Sequence, residues 1–151
     1  MNSEPIELRN RQVIGSMFMY YYDPKTKDTL PYYDRFPLSI IVSRAPGGFY
    51  GLNLHYLQPT LRAKFLDGLI DITNNKAYDE TTKFQATYSM LQKSSKLRFF
   101  KPCLKRYLSS NVRSRFAYVP PPEWEIATFL PMAEFEKKSQ NQVWKDSREM
   151  V

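Results

Sequence analysis

Side chains that could carry acid–base or nucleophilic chemistry are scarce in this chain of 151 residues. His55 is the only histidine and Cys103 the only cysteine, and they lie far apart in the sequence. A general base needs a nucleophile or an orienting partner within hydrogen-bond distance, and a zinc site needs about four nitrogen, sulfur or oxygen ligands. The sequence therefore favours structural roles, with His55 hydrogen-bonded at a turn and Cys103 buried as a small apolar side chain.

Three aspartates, Asp23, Asp28 and Asp34, lie close enough together to suggest a metal-dependent nuclease. They fall in a stretch rich in proline and tyrosine, where capping of turns explains them without a metal. Gly47-Gly48 is not followed by the lysine of a phosphate-binding loop. We therefore predict that the chain is not an enzyme and has no catalytic residue, metal or cofactor, and the nuclease is the alternative.

A basic segment gives the clearest indication of a partner. The chain has a net charge of +7, yet no acidic residue occurs between Thr81 and Pro122, and aromatic residues alternate with the cations there. Such a segment fits a polyanion or an acidic protein, although solvated helix faces also carry runs of charge. The predicted nucleic-acid-binding residues are Lys96, Arg98, Lys101, Lys105, Arg106, Arg113 and Arg115.

The elements that must position these cations begin with a small sheet. Strand-favouring runs at Ser16–Tyr22, Leu38–Val42 and Phe49–Leu54 are separated by turns rich in proline and glycine. Phe116–Val119 is predicted to return to this sheet. The fold class is α+β, a small SH3-like bent β-barrel or sheet with a helical elaboration.

Helical spacing predicts the elaboration between Pro59 and Asn111. Leu61, Phe65, Leu69 and Ile72 form one apolar stripe, and Phe84, Tyr88 and Leu91 form a second one after a cap at Asp79 or Thr81. A third helix is predicted from the spacing of Phe100, Leu104, Tyr107 and Leu108, with Lys101, Lys105 and Arg106 on its other side. We expect an N-terminal arm (residues 1–14), one α+β domain (15–135) and a polar C-terminal tail (136–151).

The sequence predicts neither a signal peptide nor a membrane-spanning segment. No apolar segment follows Met1, and no window approaches the ~18 apolar residues of a membrane span. The single cysteine allows no internal disulfide, so a cytosolic origin is the default expectation.

Four motifs together resemble a family of small virion proteins from large contractile-tailed bacteriophages, the DNA end protector or head completion proteins. These motifs are YYDPKTKDTLPYYDRFPL, GGFYGLNLHYL, FKPCLKRYL and PPEWEIATFLP, within residues 15–135. The resemblance implies a non-enzymatic component of the virion, assembled in the host cytoplasm. It also implies binding to the ends of packaged double-stranded DNA, and a place at the portal or neck where the head is completed and joined to the tail.

Two functional hypotheses follow. In the first, the basic segment binds DNA phosphates. In the second, the chain is a baseplate, neck or tail subunit within a symmetric assembly, and the basic segment meets an acidic neighbouring virion protein. The two terminal segments then wrap adjacent subunits.

Overall fold

A five-stranded antiparallel sheet forms the centre of the fold. The computed structural model describes residues 14–96 and 100–149. Strands β1 (Met17–Met19), β2 (Tyr33–Asp34), β3 (Leu38–Ala45), β4 (Gly48–Asn53), β5 (Leu104–Leu108), β6 (Ala117–Val119) and β7 (Phe135–Glu136) follow in chain order. The main sheet has the order β5-β4-β3-β1-β6, while β2 and β7 pair separately. The predicted strands around the Pro46-Gly47 turn are confirmed, and Gly47 has the positive φ of 73° that such a turn favours.

Both faces of the main sheet are buried. One face, with Met17, Ile40 and Leu52, packs against helices and forms the larger core. The opposite face carries an aromatic cluster of Phe18, Tyr20, Tyr22, Phe49, Tyr107 and Phe116, together with Ile41. A strand that is buried on both faces has a mostly apolar sequence, and this is why Leu38–Val42 could be predicted as a strand.

Four α-helices complete the described chain: α1 (Pro59–Thr73), α2 (Glu80–Lys96), α3 (Trp124–Phe129) and α4 (Gln140–Glu149). The two predicted helices after Pro59 are confirmed. Pro59 lies in the first turn of α1, and the Thr82 amide donates to Asp79 Oδ1 at 2.8 Å before α2. The mixed α+β class is therefore confirmed.

The third predicted helix is wrong. Residues 101–103 and 109–111 form short 3-10 helices, and Leu104–Leu108 between them is an edge strand paired with β4. The helical spacing of Leu104, Tyr107 and Leu108 was coincidental, because an unpaired β4 edge offers a whole row of backbone hydrogen bonds.

The main sheet is open, not closed into a barrel, since β5 and β6 form its two edges. Within the described residues this excludes the barrel alternative and retains the bent sheet, while the SH3-like classification stays a prediction. Of the predicted N-terminal arm, residues 1–13 lie outside the described residues.

Helix α4 packs against the domain. Val143 is fully buried in the larger core, and Trp144 Nε1 donates to the carbonyl oxygen of His55 at 2.9 Å. The same carbonyl accepts a longer bond from Arg62, whose Nη1 also donates to Thr128 O at 2.6 Å. These contacts attach α3 and α4 to α1.

Candidate nucleic-acid interface

The predicted binding residues occupy three parts of the described chain. Lys101 is exposed on a 3-10 helix, Lys105 and Arg106 lie on β5, and Arg113 and Arg115 are exposed between β5 and β6. Lys96 ends α2, but its side chain lies outside the described residues, as does all of Arg98. The structure therefore places five of the seven predicted side chains.

Close packing along β4 fixes the position of β5. Gly51 pairs with Lys105 and Tyr50 with Arg106. A Cβ at Gly48 would overlap the carbonyl oxygen of Tyr107, so a side chain there would push β5 away. Tyr107 itself is buried edge-on against Tyr20 and Tyr22. The aromatic cluster thus determines where the neighbouring cations emerge.

A cavity of about 350 Å³ opens beside β5, and we name it the tyrosine cavity. Five tyrosines line it, together with cations from β5 and from the loop after β1. The lining includes Tyr22, Tyr32, Tyr33, Tyr56, Tyr107, Lys25, Lys105, Arg106 and Asp34. Aromatic rings combined with cations suit the bases and phosphates of nucleic acid.

Lys105 is the most unusual cation in the tyrosine cavity. Its Nζ lies 4.2 Å from the centre of the Tyr56 ring. Burial lowers the pKa of Lys105, with a smaller opposing effect from Cys103. Within the part of the chain that the structure describes, no carboxylate lies within salt-bridge distance of it. Lys105 is therefore a partly desolvated cation without an anionic partner.

A second cleft, of about 480 Å³, adjoins the tyrosine cavity and shares Tyr22 and Tyr33 with it. Its lining includes Lys27, Arg35 and Arg113. Asp23 and Glu136 also line this cleft and partly offset these charges, and the oxygens of Asp23 lie 3.0 Å from Lys27 Nζ and 3.7 Å from Arg113 Nη2. Across both clefts, six cations surround one pair of tyrosines: Lys25, Lys27, Arg35, Lys105, Arg106 and Arg113.

Comparison of the sequence with models of known protein families shows which family the chain belongs to. Residues 7–147 match the family model described as Phage T4 terminal DNA protecting protein. The chain belongs to this family. No curated protein and no solved structure matched the chain. The resemblance to phage DNA end protectors is confirmed, and a terminal DNA protecting protein is a virion component.

The structure brings together only part of the set that the sequence predicted for this terminal DNA protecting protein. Lys105, Arg106 and Arg113 meet around Tyr22 and Tyr33, while Lys101 and Arg115 line neither cleft. Three further cations that line the two clefts, Lys25, Lys27 and Arg35, are not among the residues predicted from the sequence. They lie among acidic residues in the sequence, so a search for acid-free segments passed over them.

The loop that contains Lys25 and Lys27 accepts hydrogen bonds from a residue in the C-terminal part of the chain. Lys137 Nζ donates to the carbonyl oxygens of Lys27 and Leu30 at 2.6 and 2.7 Å. Lys137 follows β7, which pairs with β2, and has a φ of 77° that is rare for a residue with a side chain. The basic loop therefore has a defined position beside the cavity.

Beneath the tyrosine cavity lies a buried polar network centred on Asp34. Its Oδ2 accepts from His55 Nδ1 at 2.7 Å and from Asn53 Nδ2 at 3.0 Å. Its Oδ1 accepts from the amides of Phe36 and Glu134. Burial alone would raise the pKa of Asp34, but the hydrogen bonds and charge of His55 and the other donors outweigh burial and hold it below its usual range.

This network defines the role of His55. Because a carboxylate only accepts, His55 Nδ1 carries the proton, and the buried Nε2 has no hydrogen-bond partner among the described residues. Asp34 caps its own turn as predicted, through Phe36, but its pairing with His55 was not foreseen. Both side chains are buried, and Asp34 contributes to the lining of the tyrosine cavity.

Other candidate chemistry fits a structural role as well. Cys103 is fully buried, as predicted, and burial raises the pKa of its thiol to about 12. Among residues 14–96 and 100–149, no three histidine, cysteine, aspartate or glutamate side chains are grouped so that they could hold a metal ion. No described helix is long and apolar enough to cross a membrane.

Proposed function

We propose that this chain is a non-enzymatic virion protein that binds and protects the ends of packaged double-stranded DNA. The observation that carries the proposal is the group of six cations around Tyr22 and Tyr33 in a member of the terminal DNA protecting family. Phosphate contacts by lysine and arginine supply most of the affinity of such proteins for DNA.

The interface combines both clefts with the remaining predicted cations. Arg106 and Arg113 make the central contacts to duplex phosphates, joined by Lys25, Lys27 and Arg35, while Lys105 lies in the tyrosine cavity and is available to a phosphate that enters it. Lys96, Arg98, Lys101 and Arg115 are the other phosphate contacts predicted from the sequence. The domain division into residues 1–14, 15–135 and 136–151 is part of this proposal, as are a place at the portal or neck and a role in head completion and head–tail joining.

Protection from an exonuclease tests the function directly. Linear duplex DNA incubated with the protein should resist an exonuclease, while an endonuclease should still cut its interior at the same protein concentration. Affinity should fall with salt, with a slope of about −0.9 in log affinity against log salt for each phosphate contact. Equal protection of ends and interior would indicate general coating, and digestion unaffected by the protein would refute the proposal.

The second candidate is a baseplate, neck or tail subunit that binds only other virion proteins in a symmetric assembly. One observation favours a protein contact: Ile126, Phe129 and Leu130 are large apolar side chains that are 65%, 50% and 46% exposed. The burial of Val143 argues against a tail used only to wrap neighbours. We therefore treat the apolar surface as an additional contact of a DNA end protector.

A further inference from the structure

Lys105 and the tyrosine cavity distinguish this protein from one that merely coats DNA. A flat basic surface would bind phosphates anywhere along a duplex, because the phosphate charge repeats along the whole backbone. The tyrosine cavity is instead a concave site of about 350 Å³, at the small end of the range of ~300–1,000 Å³ for ligand pockets. It has room for a single nucleotide and not for a duplex.

We propose that the tyrosine cavity receives one unstacked nucleotide from the end of a DNA strand, with its phosphate at Lys105 and its base against the tyrosine rings. This inference rests on the proposed function and adds the means by which an end is recognised. The ligand is a terminal nucleotide of any sequence, because every base has a face that can stack on an aromatic ring.

The lining supplies both halves of such a ligand. Lys105 has its ammonium group 4.2 Å from the Tyr56 ring centre and no carboxylate within salt-bridge distance among the described residues, so it can accept an anion without losing a partner. Arg106 and Lys25 also line the cavity. Tyr32 and Tyr33 are half-buried, and the Nζ atoms of Lys138 and Lys137 lie 5.1 and 6.0 Å from their ring centres, so an incoming base would meet the remaining part of each ring.

The acidic residue of the cavity does not oppose this arrangement. Asp34 is the one acidic side chain among the described residues that line it, and it is 4% exposed. Both of its oxygens already accept hydrogen bonds, from His55 and Asn53 on one and from two backbone amides on the other. The charge that faces an incoming nucleotide is therefore positive.

Preference for an end follows from the cost of unstacking. A nucleotide within a duplex must break its pair and two stacking contacts before it can enter a pocket, at a cost of a few kcal/mol. A terminal nucleotide has one stacking neighbour and opens more easily. The cations bind phosphates anywhere on the duplex, whereas the pocket adds affinity only where a nucleotide opens easily. The protein should therefore bind the end of a duplex more tightly than its interior.

The test compares two forms of one short duplex at a single salt concentration. The first has open blunt ends, and the second is closed at both ends by streptavidin bound to terminal biotin, which covers the end nucleotides without adding unpaired ones. Wild-type protein should bind the open form at least about fivefold more tightly, as expected for the stacking of one base. Equal affinity for both forms would overturn this inference alone, whereas failure to bind either form would overturn the proposed function.

Lys105→Met keeps an unbranched apolar side chain of similar length and removes the charge. It should lower affinity for the open form at least about fivefold and change affinity for the closed form less than about twofold. Lys64→Met, exposed on α1 outside the cavity lining, is the matched control and should leave the ratio of the two affinities unchanged. An equal loss for both forms would make Lys105 a general phosphate contact and overturn the inference.

A measurement on the wild-type protein decides the matter even if Lys105→Met does not fold. Duplexes carry 2-aminopurine either at the terminal position or at the centre, since its fluorescence changes when it leaves the base stack. Binding should change the signal of the terminal probe and leave the central probe as it is. An unchanged terminal probe at saturating protein would show that no end nucleotide enters the cavity.

Discussion

At the scale of single residues, Asp34 shows how strongly one buried carboxylate can organise a surface site. It is 4% exposed, and its two oxygens accept four hydrogen bonds, from His55, Asn53 and the amides of Phe36 and Glu134. An ionised carboxylate can accept about four hydrogen bonds, so its capacity is used. The floor of the tyrosine cavity and the β2–β7 pair therefore depend on this one side chain.

Replacing Asp34 by asparagine should destabilise the fold. The new amide group would present two donors to groups that also donate, and the free energy of unfolding should fall by about 2–4 kcal/mol. Urea unfolding measures the change. Asp28→Asn, an exposed change in the neighbouring loop, is the control and should stay within about 0.5 kcal/mol of wild type. A D34N protein as stable as this control would mean that the network contributes little.

The same residue predicts a pH dependence. The folded-state pKa of Asp34 lies below its ordinary value of ~3.9, so its contribution to stability is fully present above about pH 4 and is lost as the pH falls through the folded pKa. The difference in unfolding free energy between wild type and Asp34→Asn should therefore shrink below about pH 4. Urea titrations of both proteins at several acidic pH values would measure this decrease. A difference in unfolding free energy that grows on acidification would contradict the lowered pKa of Asp34.

At the scale of elements, the loop between β1 and β2 depends on a contact from the far end of the chain. Lys137 donates to Lys27 O and Leu30 O, and the amides of Thr29 and Leu30 both bond to Thr26 O within the loop. Lys137→Met should loosen this loop and speed hydrogen exchange of these two amides by about 5- to 10-fold, as expected for the loss of ~1 kcal/mol.

Lys145→Met is the control for that measurement, because Lys145 is an exposed lysine of α4. It should leave the exchange of both amides at the wild-type rate. Exchange that is equally fast in both variants would point to a general effect of lost charge, and unchanged exchange in Lys137→Met would show that the loop keeps its position without this lysine.

Elements with strong local signals were predictable from the sequence. Leu38–Val42 is apolar except for Ser39, Pro46-Gly47 favours a turn, and α1 begins at a proline followed by an apolar stripe. Residues 104–108 show the limit of this approach. Their helical spacing was overridden by pairing with β4, which is a contact between residues distant in the sequence.

The same limit applies to the candidate site. Charge counting found Lys105, Arg106 and Arg113, because an acid-free segment is visible in the sequence alone. It could not find Lys25, Lys27 and Arg35, since their approach to β5 depends on how the β1–β2 loop packs in three dimensions. Asp34 and His55 were each recognised as structural residues, but their pairing needed the fold.

At the scale of the whole molecule, two surfaces have different chemistry. The basic interface surrounds Tyr22 and Tyr33, and the apolar surface is formed by Ile126, Phe129 and Leu130. In the proposed function, the basic interface binds DNA phosphates and the apolar surface binds a neighbouring virion protein. If each surface has one role, variants of the two should fail in different assays.

The double variant Arg106→Gln/Arg113→Gln should lose exonuclease protection, and its salt slope should be shallower than that of wild type by about 1.8. The double variant Ile126→Asp/Phe129→Asp should keep protection and slope but fail to enter phage particles, because charges would face an apolar partner. Both pairs are exposed, and urea unfolding of each variant would separate a loss of function from a loss of folding. If instead the arginine variant protects DNA normally yet is excluded from particles, the basic interface binds an acidic virion protein and the second candidate function takes the place of the first.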